Sequence, residues 1–274
     1  MEWHFTVAAQ TDKGTTKAVN QDSLTVKVAN TVFGEAAIAV VCDGMGGLEQ
    51  GDVASSVVVR AYEQWFLKQL PRLLARGFSV KELEQIWSQI ANDCNTKIIG
   101  YSKEQRAPMG TTLTVILLIQ GYYFISHVGD CRIYRMGAGM EQLTMDQTYV
   151  AREVALGHMT PEQAENDSRR NVLLQCIGTM SSVKPDFLHG EFGDGETFLI
   201  CSDGFRHKLD EMEIYKYCHT AFKGMEWSVE KRLDNSHIMN ARIRYLIEMN
   251  KERGEKDNIS AVLVKVNGIP DEKP

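Results

Sequence analysis

The chain has 274 residues, a formal net charge of −6, and 43% hydrophobic and 24% charged residues. That is enough to bury a sizeable core in one large domain or two small ones, with the composition of a soluble globular protein. The acidic balance argues against a nucleic-acid partner, and no apolar run reaches the ~18 residues that a membrane span needs.

Residues 3–9, WHFTVAA, read as a first strand, followed by the polar loop TDKGTTKAVNQDS with Asp22 near its far end. Leu24–Val28 and Ala36–Cys42 read as two strands close enough to be antiparallel neighbours. The second belongs to AVVCDGMGG, a buried apolar run that stops at Asp43 and turns on glycines. Asp52 is the expected cap of a helix with Val53, Val57, Ala61, Trp65 and Leu67 on its apolar face. Pro71 and Gly77 mark a break. A second helix over 79–102 opens with Ser79 and Glu82 in capping-box spacing. The two helices are expected to pack as an antiparallel hairpin.

The period then changes. Residues 111–120, 121–130 and 131–136 read as three consecutive antiparallel strands broken by Gly121 and Gly129. Residues 143–178 form short helical pieces, an excursion that suits a flap beside a site. ETFLICSDG repeats the opening theme, with an apolar strand ending in Asp203-Gly204. Residues 210–220 and 228–254 read as helices, and Asp257 precedes a final strand. No linker or internal repeat appears. One domain over 1–268 with a polar tail at 269–274 is the expected organisation.

The N-terminus lacks the basic-then-apolar order of a secretory signal, and no CxxC pair occurs among the six cysteines. A cytoplasmic protein with reduced thiols is expected.

Asp22, Asp43, Asp203 and Asp257 each stand at a junction of strand and loop. Two packed sheets can bring such junctions to one edge, where the carboxylates would repel unless cations sat between them. An all-oxygen donor set favours Mg²⁺ or Mn²⁺ over zinc.

The segments TDKGTTKAVNQDS, AVVCDGMGG, MGTTLTVILL, SHVGDCRIYRM, LTMDQTYV, LLQCIGT, LICSDGF and KDNISAVLV run in order across residues 11–264. In them the chain resembles a bacterial member of the metal-dependent Ser/Thr protein phosphatase family, type 2C. The resemblance implies an α+β fold, a four-layer α-β-β-α sandwich in which two central antiparallel sheets are flanked by antiparallel helix pairs. It implies a two-metal site for Mn²⁺ or Mg²⁺ with Asp43, Asp203 and Asp257 as the catalytic set. Asp43 would bridge the two ions, the Gly44 carbonyl would touch the first, and Asp203 and Asp257 the second. Asp22 would lie at the metal edge through water. Asp130 matches a position that helps bind a third, weaker ion in bacterial relatives; read by itself it is a turn residue between two strands. A hydroxide held by the metal pair would attack phosphorus in line, with no covalent phosphoenzyme. Neither Cys42 nor Cys131 sits in a Cys-x5-Arg loop, which excludes a tyrosine-phosphatase reading. The implied partners are phosphorylated proteins and a Ser/Thr kinase whose substrates the enzyme would dephosphorylate. A monomer is expected, with no nucleic acid and no membrane.

The chain departs from the family pattern at several positions. Lys17 stands where relatives commonly carry a phosphate-gripping Arg, so charge is kept but the bidentate fork is lost. Leu48 replaces a frequent His after DGMGG, Gln147 replaces the usual His of the LTxDH segment, and Cys131 stands where Ser is usual, which invites a redox-sensitive thiol. The leaving-group acid is left open between a metal-bound water and His207, itself also readable as a surface or packing residue. These changes motivate an alternative: a catalytically weak phosphoprotein-binding regulator on the same fold. A different two-metal hydrolase, such as a nuclease, is disfavoured by the acidic balance.

Overall fold

A computed structural model describes residues 1–46, 50–228 and 230–269. Leu48 and residues 270–274 of the polar tail lie outside the described residues.

The N-terminal half begins with β1 (Glu2–Asp12), β2 (Ser23–Thr31), β3 (Gly34–Cys42) and the short β4 (Gly44–Gly46), then α1 (Gly51–Lys68), α2 (Leu70–Arg76) and α3 (Val80–Gln105). β5 (Met109–Thr111), β6 (Leu113–Ile119), β7 (Tyr122–Val128), β8 (Arg132–Met136) and β9 (Met140–Gln142) follow. The flap contains α4 (Tyr149–Ala155) and α5 (Pro161–Asn166). The chain closes with β10 (Asp186–Glu191), β11 (Thr197–Cys201), α6 (Asp203–Arg206), α7 (Glu211–Cys218), a 3-10 turn (Thr220–Phe222), α8 (Arg232–Glu252) and β12 (Ile259–Ile269).

Two antiparallel five-stranded sheets, ordered β1-β12-β11-β8-β9 and β10-β7-β6-β3-β2, face each other. Between them lie Phe5, Val41, Ile116, Ile133, Phe198, Ile200 and Val264, the inward positions of strands with period two. The outer face of the second sheet packs Val40, Val115 and Leu117 against Tyr62, Trp65 and Trp87 of α1 and α3. The outer face of the first packs Leu199, Ala261 and Leu263 against Ile214, Ile243 and Leu246 of α7 and α8. The result is the expected four-layer α-β-β-α sandwich.

Several expectations are corrected. Residues 111–136 are not three strands of one sheet: β6 pairs with β7, but β8 pairs with β11 in the other sheet. The crossing occurs at Gly129, whose φ of 110° is forbidding to a side chain and whose added Cβ would strike Thr112. Asp52 lies inside the first turn of α1, where a carboxylate suits the helix dipole, and Gln50 holds the cap position without a side-chain bond. Pro71 does not simply break the helix; it stands in the first turn of α2, where its missing N–H costs nothing. Ser79 accepts from the Glu82 amide as expected of a cap, but the Glu82 carboxylate pairs with Arg76 rather than closing a box. The last strand continues through Ile269, paired with Glu2, so the first residue of the expected tail belongs to the sheet.

Candidate active site

Strand register brings the strand-end carboxylates to one edge of the sandwich. In the second sheet Ser23 pairs with Cys42, which sets Asp22 beside Asp43. In the first, Cys201 pairs with both Arg132 and Ala261, which sets Asp203 opposite Asp130 and near Asp257. Asp43 is fixed through its backbone: its N–H donates to Thr112 Oγ1 at 2.8 Å, and its carbonyl accepts from Thr111 Oγ1 and the Thr112 N–H at 2.9 Å each. Gly44 is wedged between the Gln21 and Gly51 carbonyls, and Gly204 against the Asn258 carbonyl, with no room for a Cβ at either place.

The charges repel as a group. Burial, and then Asp22, Asp203, Asp130 and Asp257, hold the Asp43 carboxyl well above its usual range. Asp22 is pushed up to about 7 by burial, with Asp203 and Asp257 adding to it and the nearby Ser260 and Ser202 hydroxyls opposing. Asp130 is likewise pushed up to about 7 by burial and then Asp203, against the Arg206 charge. Both carboxylate oxygens of Asp22 and Oδ1 of Asp203 are buried without a hydrogen-bond partner among the described residues. Orphaned buried acceptors of this kind are costly, and an oxygen-seeking cation would satisfy them. Among the described residues no three Asp, Glu, His or Cys side chains form a closed ligand set.

Lys17 enters the cluster from the loop after β1 and sets Nζ 2.8 Å from Asp257 Oδ1. Burial pulls its ammonium down, but Asp257, with Asp43 and Asp203 behind it, raises it overall. His207 is not a bystander: its Nε2 lies 3.5 Å from Asp203 Oδ2 and its Nδ1 3.4 Å from Glu255 Oε2. Burial lowers its pKa, and Glu255 and Asp203 more than restore it, so the net direction is up. Glu255 resists burial through His207 and the Asp257 and Lys256 N–H groups and is drawn down to about 2.

A cleft of about 1220 Å³ opens from Lys17, Asp130, Asp203 and Asp257 toward the flap helices α4 and α5. On its wall Arg132 grips Asp146 with two bonds of 2.8 Å, and Arg206 Nη2 reaches Asp146 at 3.2 Å and the Asp130 carbonyl at 3.3 Å. Asp146 is thereby held below the usual carboxylate range despite its burial.

The structure thus brings Asp22, Asp43, Gly44, Asp130, Asp203, Asp257 and Lys17 to one edge. Gln147 replaces a titratable group with a structural one. It is buried; its Oε1 accepts from the Gly129 N–H at 3.0 Å, and its Nε2 donates to Asp186 Oδ2 at 2.8 Å. Cys131 is fully buried against Thr112, and burial first, then Asp43 and Asp130, push its thiol far up, so the redox-sensitive expectation fails. Sequence reasoning missed Glu255 and the Arg132–Asp146–Arg206 cluster. The Asp146 side chain stands next to Gln147 in a segment already singled out, which was the available signal.

The family profile described as "Protein phosphatase 2C" matches residues 10–248. A serine/threonine phosphatase stp of Listeria innocua is 30% identical over 234 residues, 84% of this chain and 84% of that protein. The crystal structure of serine/threonine phosphatase Stp1 from Staphylococcus aureus superposes with a TM-score of 0.78 at 25% identity, covering 98% of each chain. The catalytic domain of a serine/threonine protein phosphatase PstP in complex with two manganese ions gives a TM-score of 0.73 at 26% identity, covering 97% of this chain and 100% of that one.

Proposed function

The chain belongs to the protein phosphatase 2C family, and from that premise we propose that it hydrolyses phosphoserine and phosphothreonine in proteins at a two-metal site. The observation that carries the reading is the set of five buried or half-buried carboxylates at one sheet edge, three of whose oxygens have no partner among the described residues. An all-oxygen set with net negative charge fits Mn²⁺ or Mg²⁺. Asp43, Asp203, Asp257 and the Gly44 carbonyl would hold the two ions, with Asp22 at the margin and Asp130 offered to a third, weaker ion. Bound there, the ions would lower the pKa of a water and neutralise phosphate oxygens.

The chain's own residues do the rest. Lys17 offers its ammonium to a phosphate oxygen. Thr111 and Thr112 keep Asp43 from shifting as charge develops. His207, whose pKa Glu255 and Asp203 raise against the burial that lowers it, is the side chain nearest the cluster that could give a proton to the leaving alkoxide. The cleft runs from the carboxylates toward the flap helices, and a polypeptide segment carrying the phosphorylated residue would lie along it. The phosphoproteins it serves are those of a Ser/Thr kinase. Among the described residues no helix is long and apolar enough to cross a membrane.

Turnover of p-nitrophenyl phosphate and of a phosphothreonine peptide with Mn²⁺, with and without chelator and beside Asp203→Ala, tests this. Metal-dependent turnover abolished by the substitution is expected. Metal-independent activity sinks the reading. Phosphopeptide binding without turnover under any divalent ion supports the weak phosphoprotein-binding regulator instead.

A further inference from the structure

The strands that carry Asp203 and Asp257 run away from the carboxylates to a second cavity at their other end. Along the outer face of β12, Ala261 and Leu263 pack under the helices. The same period next presents Lys265, six residues or about 20 Å from Ile259. Its cross-strand neighbours are Thr6 and Thr197. Lys265 is only 7% exposed, yet it lines a cavity of about 610 Å³ together with Phe222, Met225 and Trp227. That volume is in the range of small-molecule sites.

The ammonium is poorly compensated. A lysine has three donor hydrogens. Among the described residues Lys265 Nζ makes one hydrogen bond, to the Gly195 carbonyl at 3.4 Å. The acids on the cavity wall have other partners: Glu196 is held by Arg135 at 2.6 Å and by the Gly193 N–H at 3.1 Å, and Asp194 Oδ1 accepts from the Gly268 N–H at 2.7 Å. Two further basic groups join the wall. His219 is 6% exposed, with Nδ1 3.1 Å from Thr197 Oγ1, and Lys223 stands exposed at the mouth. Burial draws the Lys265 ammonium down against the pull of Asp194, and burial with the Lys265 and Lys223 charges draws His219 down. Placing a lysine where the sheet otherwise carries leucine and alanine desolvates a charge that a hydrophobic residue would avoid.

We propose that this cavity is a second binding site, for a small organic anion whose carboxylate or phosphate pairs with Lys265 and whose apolar part lies against Met225 and Trp227. The anion supplies a counter-charge in direct contact, where Asp194 acts on Lys265 without an ion pair, and uses the remaining ammonium hydrogens. The site is separate from the carboxylate edge and does not depend on the chain's catalytic activity.

The test uses metal-free full-length protein titrated with phenylacetate, citrate and inorganic phosphate at millimolar concentration and followed by NMR at the Lys265 Cε and the Gly195 and Gly268 amides. Saturable shifts at Lys265 and both glycines with at least one probe are expected, with affinity at least tenfold weaker in Lys265→Met and largely kept in Lys265→Arg. The probe-free melting temperature of Lys265→Met should equal or exceed that of the wild type, since an uncompensated buried charge is gone. If Lys265→Met does not fold, the Lys265 Cε shift in the wild-type protein decides alone. No shift at Lys265 with any of the three, shifts confined to the carboxylate edge, or undiminished binding in a folded Lys265→Met overturns the proposal.

Discussion

Lys17 Nζ sits 2.8 Å from Asp257 Oδ1, so the cation expected to grip a substrate phosphate is already paired with a carboxylate of the cluster. A compact ammonium holds one such partner well, whereas the guanidinium fork can keep Asp257 and reach a phosphate oxygen together. Lys17→Arg should lower KM for a phosphothreonine peptide roughly fivefold, the worth of about 1 kcal/mol for one added hydrogen bond. The value of kcat should stay within a factor of about two, because the gain is shared by ground and transition states. Steady-state kinetics with Mn²⁺ check this, and an unchanged or higher KM counts against it.

The carboxylate cluster should give the metal-free protein an unusual pH dependence. Asp22 and Asp130 titrate near 7 in the folded chain, above the ordinary 3.8. A group raised on folding adds stability below its unfolded pKa and loses it as pH climbs through the folded value. The melting temperature without metal should therefore fall as pH rises from about 4 to about 8, where many proteins gain or hold stability. Mn²⁺ should flatten or reverse that slope and release protons on binding near neutrality, since ligand carboxylates must be ionised. Calorimetric melts at several pH values, with and without Mn²⁺, and proton release in weak buffer would show it. A metal-free melting temperature indifferent to pH across this window would contradict it.

Gly204 follows Asp203, and a Cβ there would collide with the Asn258 carbonyl. Gly204→Ala must push the start of β12 outward and carry Asp257 with it. Overpacking of this kind costs about 1–3 kcal/mol. Denaturant unfolding should register that loss, and Mn²⁺ affinity measured by calorimetry should drop as well. A variant with wild-type stability and wild-type affinity would mean the backbone relaxes without moving the carboxylate.

Asp43 and Asp203 were legible because each carries its signal locally: an apolar strand stops at an Asp, and a Gly follows. The layer order was legible because strand and helix periods differ along the chain. The sheet crossing at Gly129 was not, because a Gly between two β-rich runs reads alike whether the second strand folds back or changes sheets. The partner that decides, β11, comes about 65 residues later. The Lys17–Asp257 pair depends on β1 lying beside β12, a pairing between the two ends of the described chain that no local pattern announces. Glu255 was an unremarked acid before the final strand until the fold set His207 against it.

Gln147 shows the same limit and supplies the last prediction. In sequence it is a lost histidine; in the fold its side chain is a junction. Its Oε1 accepts from the Gly129 N–H and from Gln175 Nε2, each at 3.0 Å, and its Nε2 donates to Asp186 Oδ2 at 2.8 Å. Flap, edge strand and the turn that bears Asp130 are thus tied through one amide. Gln147→Ala leaves the buried Gly129 amide short of a partner, at about 1–3 kcal/mol, while the exposed Asp186 carboxylate turns to water. Gln147→His keeps one donor and one acceptor and should recover more than half of that loss. Because Gly129 adjoins Asp130, the alanine variant should also weaken any ion bound at Asp130 while sparing the two-ion site proposed at Asp43, Asp203 and Asp257. Unfolding midpoints for both variants, set beside Mn²⁺ binding isotherms, separate these effects. An alanine variant as stable as the parent, with all metal affinities intact, would show that Gly129 is held by its backbone bonds and its contact with Thr112 alone.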